Sequence, residues 1–153
     1  MHRMIAIILA LFCLNFSPTC RAVDISDCGS KVGKLTSITL DCDMTKTVCE
    51  LIPDTNATIK IDFTVDKDVS KVIAVVHGIV MDIPIPFPLP NPDACQTADS
   101  GIQCPLKKGD TLHYKNTLVV LKSYPKVSVT VKWQLKDENN EDIICVLIPA
   151  RIK

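Results

Sequence analysis

Few side chains in this sequence have the types and spacing that chemistry at a site requires. Beyond the N-terminal segment only two histidines occur, His77 and His113, and neither belongs to a His-x-x-x-His motif. The cysteines form no Cys-x-x-Cys pair, the other spacing that is typical of zinc sites. Nothing indicates a Ser-His-Asp arrangement, and His77 precedes a glycine in an apolar segment, which favours a structural role. The sequence therefore predicts no catalytic residue, no metal site, no cofactor and no enzyme.

Six cysteines follow the N-terminal segment, and their chemistry is that of disulfides. They are Cys28, Cys42, Cys49, Cys95, Cys104 and Cys145. An even number in an exported chain is typical of three disulfides. Residues 42/49 and 95/104 are close enough to close local loops, and Cys28 with Cys145 would then join the two ends. Many pairings are possible for six cysteines, so spacing alone leaves the pattern open.

The first 22 residues have the layout of a secretory signal peptide. Arg3 precedes an unbroken apolar run from Met4 to Leu14, and small and polar residues follow up to Ala22. The apolar run is too short to span a bilayer. We expect cleavage near Ala22, a single domain of residues 23–153, and a secreted, extracellular protein, with the lysosome as the alternative location.

The charge of this domain is nearly balanced. Without Arg3 and Arg21 the chain has 15 basic and 17 acidic side chains, and no basic run exceeds two residues. Nucleic acid is therefore not an expected partner. We expect a monomer whose ligand is a hydrophobic small molecule, with transient contact to a membrane or a membrane receptor.

The elements that would position a site are predicted to be β-strands. Apolar residues alternate with polar ones in residues 57–65 and again in residues 126–135, which include Trp133. This period of two is typical of half-buried strands. Four further strands are plausible, beginning near residues 35, 71, 110 and 142. About seven antiparallel strands in one exported domain predict an all-β, immunoglobulin-like sandwich. Trp133 does not follow a core cysteine closely, which excludes the antibody type of disulfide core.

Prolines occupy every second position from 84 to 92 and alternate with Ile85, Phe87 and Leu89. Proline has no N–H to donate, so such an extended segment lacks donors along one edge. It must therefore lie at the border of a sheet. We expect the odd-numbered face, from Ile83 to Leu89, to pack inward, while the border keeps two sheets apart. Protection of an edge against aggregation is the competing interpretation.

Several segments resemble the ML (lipid-recognition) family, in particular the branch that includes the Niemann–Pick type C2 proteins and its arthropod members. They are "DCGS" (27–30), "VVHGIVMDIPIPFPLP" (75–90), "GIQCP" (101–105), "YPKVSVTVKWQL" (124–135) and "CVLIP" (145–149). The resemblance implies a non-enzymatic, immunoglobulin-like sandwich of seven strands whose sheets separate to hold a hydrophobic ligand. It also implies disulfides 28–145, 42–49 and 95–104.

The resemblance further implies a lipid-binding site, in which Phe87 and Tyr124 match aromatic residues at the pocket mouth. The implied residues are Leu40, Ile59, Ile61, Val80, Ile85, Phe87, Leu89, Val120, Tyr124, Pro125, Val127, Val129, Val131 and Trp133. For Val129 and Val131, ordinary core packing is the competing interpretation.

By this resemblance the protein is a secreted carrier that binds a sterol between its sheets and transfers it to membranes or a partner. The alternatives on the same fold are a chemosensory carrier of fatty acids or other semiochemicals, and recognition of microbial glycolipid. Two positions depart from the family pattern. Val146 replaces an aromatic residue and would leave room at depth, whereas Asp82 replaces a glycine and would favour a neutral hydroxyl over a carboxylate.

Asn56, followed by Ala57 and Thr58, is an N-glycosylation acceptor. Vertebrate members of the family use their glycan for lysosomal sorting. The acceptor here is displaced by a few residues from theirs, so lysosomal delivery does not follow from it.

Overall fold

Alternating apolar and polar residues form nine β-strands and no helix in residues 22–153, the part of the chain that the computed structural model describes. The expected signal peptide lies outside the described residues, except for Ala22. The strands are β1 (Ser26–Asp27), β2 (Gly33–Leu40), β3 (Cys49–Leu51), β4 (Asn56–Val65), β5 (Ile73–Val80), β6 (Ile83–Phe87), β7 (Thr111–Val119), β8 (Ser128–Lys136) and β9 (Asp142–Ile152). These described residues include no helix long and apolar enough to cross a membrane.

The strands form two sheets. The large sheet has the order β1-β9-β8-β5-β6, with the short β3 added parallel to β9, and the small sheet has the order β2-β4-β7. All other pairings are antiparallel. The predicted all-β, immunoglobulin-like sandwich is confirmed. Strands β1 and β3, of two and three residues, account for the excess over about seven strands.

The apolar faces of both sheets turn toward each other, but they are not equally covered along their length. On β4, Ile61 and Phe63 are fully buried, and on β8 Leu135 is fully buried. Val129 and Val131, nearer the start of β8, are only half-buried. The core is therefore filled at one end of the sandwich and loosely covered at the other.

The backbones of the two sheets meet at the filled end, here called the closed end. The N–H groups of Lys31 and Val32 donate to the carbonyl oxygen of Asp142 at 2.9 and 3.1 Å. Beside them, a Cβ on Gly33 would lie 2.6 Å from the carbonyl oxygen of Thr64 and 3.0 Å from Cγ2 of Ile143. Only glycine allows this approach, which brings β2 against β9 and fixes the spacing of the sheets at this end.

The six cysteines form the three disulfides that the family resemblance implies. Cys28–Cys145 joins the start of the domain to the middle of β9, next to a backbone hydrogen bond of 2.9 Å between the same residues. Cys42–Cys49 closes the loop before β3, and Cys95–Cys104 closes the loop before β7. The first bond therefore reinforces the large sheet, and the other two shape loops.

The proline segment lies where its missing donors require, because β6 is the last strand of the large sheet and pairs with β5 alone. The expectation that its whole odd-numbered face packs inward is wrong in part. Phe87 and Leu89 pack against the core, but Ile83 and Ile85 are 63% and 52% exposed. Both face the gap between the sheets at the end opposite the closed end, where the small sheet leaves them uncovered. This end is here called the open end.

Candidate ligand-binding site

An apolar cavity of about 470 Å³ lies between the sheets at the open end. This volume is within the usual range of small-molecule sites, roughly 300–1,000 Å³. Of the residues that the resemblance implies, those lining it are Val80, Ile85, Phe87, Val120, Tyr124, Pro125, Val127, Val129 and Val131. Val129 and Val131 are thus placed at a cavity wall, not in the filled core. We call this space the main cavity.

Two aromatic rings meet at the side of the main cavity. Phe87 ends β6, and Tyr124 belongs to the connection between β7 and β8. Their ring centroids are 5.9 Å apart, with the planes at 75°, an edge-to-face geometry that aromatic pairs prefer. Phe87 is half-buried and Tyr124 likewise. The pair bridges the border of the large sheet and a loop, so a ligand that enters beside it has to contact or displace these rings.

A smaller apolar cavity of about 80 Å³ adjoins the main one. Three implied residues, Leu40, Ile59 and Trp133, line this smaller cavity and not the main one. The residues that line both cavities are Leu51, Ala57, Leu118 and Val131. A thin layer of side chains therefore separates the two spaces.

Two implied residues line neither cavity. Ile61 is fully buried in the core, where it pairs with Tyr114 of β7, and Leu89 is partly buried against the core. Val146, also fully buried, faces Trp133 across the strand pair and lines neither cavity. The room at depth that its small side chain suggests is therefore taken up by neighbouring core residues.

Ten further residues line the main cavity and were missed by sequence reasoning. They are Leu51, Ala57, Val76, His77, Gly78, Pro86, Pro88, Leu118, Val119 and Ile152. The alternation of side chains along a strand could have identified three of them. Val76 and Gly78 share a strand face with Val80, and Leu118 shares one with Val120. Ile152 joins the site through its hydrogen bond to Val127, a tertiary contact that no local pattern indicates. Nδ1 of His77 is buried without a hydrogen-bond partner in residues 22–153.

Next to Trp133, the side chains of Tyr114 and Asn116 form a hydrogen bond. Nδ2 of Asn116 donates to the hydroxyl oxygen of Tyr114 at 3.1 Å, and the Tyr114 and Trp133 ring centroids are 6.3 Å apart. Burial raises the pKa of Tyr114 to about 12, against the smaller opposing effects of Asn116 and Trp133. The phenol is therefore neutral at physiological pH and presents no charge to an apolar ligand.

The border of the main cavity is unusually apolar where it meets water. The large hydrophobic side chains exposed in residues 22–153 are Ile52, Met81, Ile83, Ile85, Val119 and Leu121. They belong to the β5–β6 hairpin, to the end of β7 and the two residues after it, and to the turn before β4. The N–H of Val120 donates to the carbonyl oxygen of Thr55 and so joins the last two of these segments. These segments border the opening, and we call the six residues the apolar rim.

The turn at the tip of this hairpin has a backbone that glycine or asparagine adopts more easily than other residues. Met81 and Asp82 have φ angles of 47° and 65°, as the two-residue turn between paired Val80 and Ile83 demands. Asp82 is exposed and lines neither apolar cavity. Its charge therefore lies at the rim and not inside the site.

The other histidine lies on the outer surface of the small sheet. Nδ1 of His113 is 2.7 Å from one carboxylate oxygen of Asp62, and the Ser37 hydroxyl donates to the other at 2.6 Å. These hydrogen bonds, that of Ser37 first, lower the pKa of Asp62. The serine contacts the carboxylate and not the imidazole, so this group lacks the geometry that activates a serine nucleophile. Residues 22–153 contain no group of three potential metal ligands.

Asn56, the residue of the glycosylation acceptor, is also exposed on the small sheet.

Comparison with known proteins agrees with this architecture. The chain is 52% identical over 133 residues to the NPC intracellular cholesterol transporter 2 homolog a of Drosophila melanogaster, covering 86% of this chain and 88% of that protein. It is 38% identical over 153 residues to the NPC intracellular cholesterol transporter 2 of Sus scrofa, covering 100% and 99%. The crystal structure of a Niemann-Pick type C2 protein from the Japanese carpenter ant superimposes with a TM-score of 0.82 at 40% identity, covering 85% of this chain and 99% of that one.

The profile of the ML domain matches residues 22–152, nearly the whole of the described chain. Both the relatives and the sandwich with its apolar cavity agree with this match, and the chain belongs to the ML-domain family, with Niemann–Pick type C2 proteins among its relatives.

Proposed function

We propose that this protein is a carrier that binds a sterol in the main cavity and releases it at a membrane or to a partner. The observation that supports this most directly is the apolar cavity of about 470 Å³ that opens beside the aromatic pair Phe87 and Tyr124. Relatives that match nearly the whole chain are named as cholesterol transporters. The relatives compared above are named as cholesterol transporters or as a Niemann-Pick type C2 protein, which favours a sterol over a semiochemical or a microbial glycolipid.

The size of the cavity is sufficient for useful affinity. A sterol that buries roughly 400–500 Å² of apolar surface gains about 10–12 kcal/mol at ~25 cal/mol per Å². Binding also costs at least several kcal/mol, because translational and rotational freedom is lost and side chains become ordered. The remainder corresponds to a dissociation constant near micromolar or below.

The chemistry of the wall favours a neutral ligand over a fatty acid. Among residues 22–153, no lysine or arginine lines the main cavity. A carboxylate drawn into it would lose water without gaining a cationic partner, which is costly. A sterol hydroxyl needs only one or two hydrogen bonds, which water at the opening supplies.

The remaining parts of the proposal concern the export of the protein, its processing and the place where it acts. We propose that residues 1–22 are removed on export, because they have the layout of a signal peptide and the three disulfides suit an oxidising compartment. We propose a monomeric, non-enzymatic carrier with a glycan on exposed Asn56, acting outside cells or in the lysosome. The intact mass of the secreted protein tests both the cleavage and the glycan.

The apolar rim would serve the transfer step. Contiguous exposed apolar residues on a soluble domain mark contact sites. Because they surround the opening, insertion of Met81 and Ile83 into a bilayer surface would let a sterol pass without crossing water. The matching partner is therefore a lipid surface.

Ligand class is tested by competition against a bound fluorescent sterol such as dehydroergosterol. We expect cholesterol to displace it at lower concentration than oleate at neutral pH. Asp82→Asn, which keeps a residue tolerant of positive φ, should raise oleate affinity by at most about 1 kcal/mol and leave cholesterol unchanged. Tighter binding of oleate than of cholesterol would contradict the sterol assignment.

The role of the aromatic pair is tested with Phe87→Ala. Loss of this half-buried ring should weaken cholesterol binding by about 1–3 kcal/mol with a small change in Tm. Phe63→Ala, in the closed end, is the matched control and should lower Tm strongly. If Phe87→Ala instead lowers Tm sharply and leaves binding unchanged, Phe87 is a core residue and does not contact ligand.

The rim is tested by sterol transfer between vesicles with Ile83→Glu. Ile83 is exposed and lines neither apolar cavity, so sterol affinity should be unchanged. Transfer should slow about tenfold or more, since one apolar side chain contributes roughly 1.5–3 kcal/mol to such a contact. Thr39→Glu, on the outer face of β2, is the control and should transfer normally. Unchanged transfer by Ile83→Glu would show that the rim is not the docking surface.

A further inference from the structure

The glycosylation acceptor lies at the same end of the sandwich as the opening of the main cavity. Asn56 is the first residue of β4, and its register partner is Val119, the last residue of β7. In the turn before β4, the N–H and the hydroxyl of Thr55 both donate to the carbonyl oxygen of Ile52. Val119 and Ile52 both belong to the apolar rim, so the acceptor adjoins the rim.

The side chains of Asn56 and Val119 lie on the outer face of the small sheet. Side chains alternate along a strand, and the buried Ile59 marks the inner face of β4. The next outward pair, Thr58 and Thr117, brings its two hydroxyl oxygens to 3.0 Å, as side chains paired on one face do. Such pairs have Cβ atoms about 4.5–5.5 Å apart. The first sugar on Asn56 would therefore lie beside Val119, which is 55% exposed.

The apolar rim has two flanks, on opposite sides of the opening. We call the exposed residues of the β5–β6 hairpin the hairpin flank, and those at the end of β7, just after it and in the turn before β4 the acceptor flank. The hairpin flank consists of Met81, Ile83 and Ile85, and the acceptor flank of Ile52, Val119 and Leu121. Packed sheets lie roughly 10 Å apart. A glycan on Asn56 is therefore next to one flank and across the opening from the other.

A glycan and a lipid surface compete for the acceptor flank. The hydroxyl groups of a sugar are hydrated, and moving them into an apolar medium without hydrogen-bond partners is costly. A glycan that begins at Asn56 cannot enter the acyl region of a bilayer, and its first sugars keep the neighbouring rim residues in water. The hairpin flank has no such obstacle beside it in the described part of the chain.

We propose that the glycan on Asn56 keeps the acceptor flank out of the lipid surface and restricts docking to the hairpin flank. This inference rests on the proposed carrier function and on the proposed glycan. The protein then docks with the β6 border toward the lipid. A sterol leaves past Ile85, which is both exposed and part of the cavity wall.

The test measures sterol transfer between vesicles by the glycosylated protein and by Asn56→Gln, each with and without Ile52→Glu. Ile52 is exposed and lines neither apolar cavity, so sterol affinity should be unchanged. With the glycan present, Ile52→Glu should transfer within about twofold of the parent rate. Asn56→Gln should transfer about threefold faster or more, because the acceptor flank then joins the contact. Addition of Ile52→Glu to Asn56→Gln should remove that gain.

The matched control moves the glycan instead of removing it. Lys115→Asn, added to Asn56→Gln, makes a new acceptor with Asn116 and Thr117 on the same outer face. Lys115 is exposed and lies four residues before Val119 on β7, roughly 13 Å further from the opening. Molecules with this glycan, selected by intact mass, should keep the fast transfer of Asn56→Gln.

Four results would overturn the inference. They are an intact mass that shows no glycan on Asn56, equal rates for the glycosylated protein and Asn56→Gln, an effect of Ile52→Glu that does not depend on the glycan, and slow transfer with the moved glycan, which would mean that its bulk acts and not its position. Failure of the glycosylated parent and of every variant to transfer sterol would instead overturn the carrier function, and the inference with it.

Discussion

The architecture depends on one constraint, the absence of backbone donors along one border of the large sheet. This border has proline at positions 84, 86, 88 and 90, and proline has no backbone N–H to donate. The border therefore cannot pair with the free edge of β7 and join the two sheets. At the opposite end the close approach at Gly33 and the backbone bonds to Asp142 bring the sheets together. A sandwich closed at one end and unable to close at the other retains a gap. The apolar residues that face this gap form the main cavity.

Much of this could be predicted from the sequence, because the relevant signals are local. Alternation identified β4 and β8 together with their buried faces, and the missing donors placed β6 at a sheet border. Phe87 and Tyr124 were identified by family resemblance, since they lie far apart in the sequence. The exposure of Ile83 and Ile85 was missed, because alternation specifies which side chains share a face but not whether another sheet covers that face.

The division of the site also required three-dimensional structure. Leu40, Ile59 and Trp133 belong to a separate small cavity, and Ile61 belongs to the core, although all four have the apolar alternation of pocket residues. The side chain of Leu118 lies between the two spaces. Asn116 appears in the sequence as one polar residue of a strand, and only the pairing of β7 shows that it faces inward beside Tyr114.

The central claim is that the gap between the sheets binds a neutral sterol. Native mass spectrometry tests this most directly, because it measures the mass of any ligand that stays bound to the protein. The protein is purified from a eukaryotic cell that expresses it, without added lipid. The account predicts a bound species with the mass of a sterol, in a one-to-one complex that is less abundant when Phe87 is replaced by alanine. A complex that contains only fatty acids, or a protein that stays ligand-free in a sterol-rich cell, would contradict it.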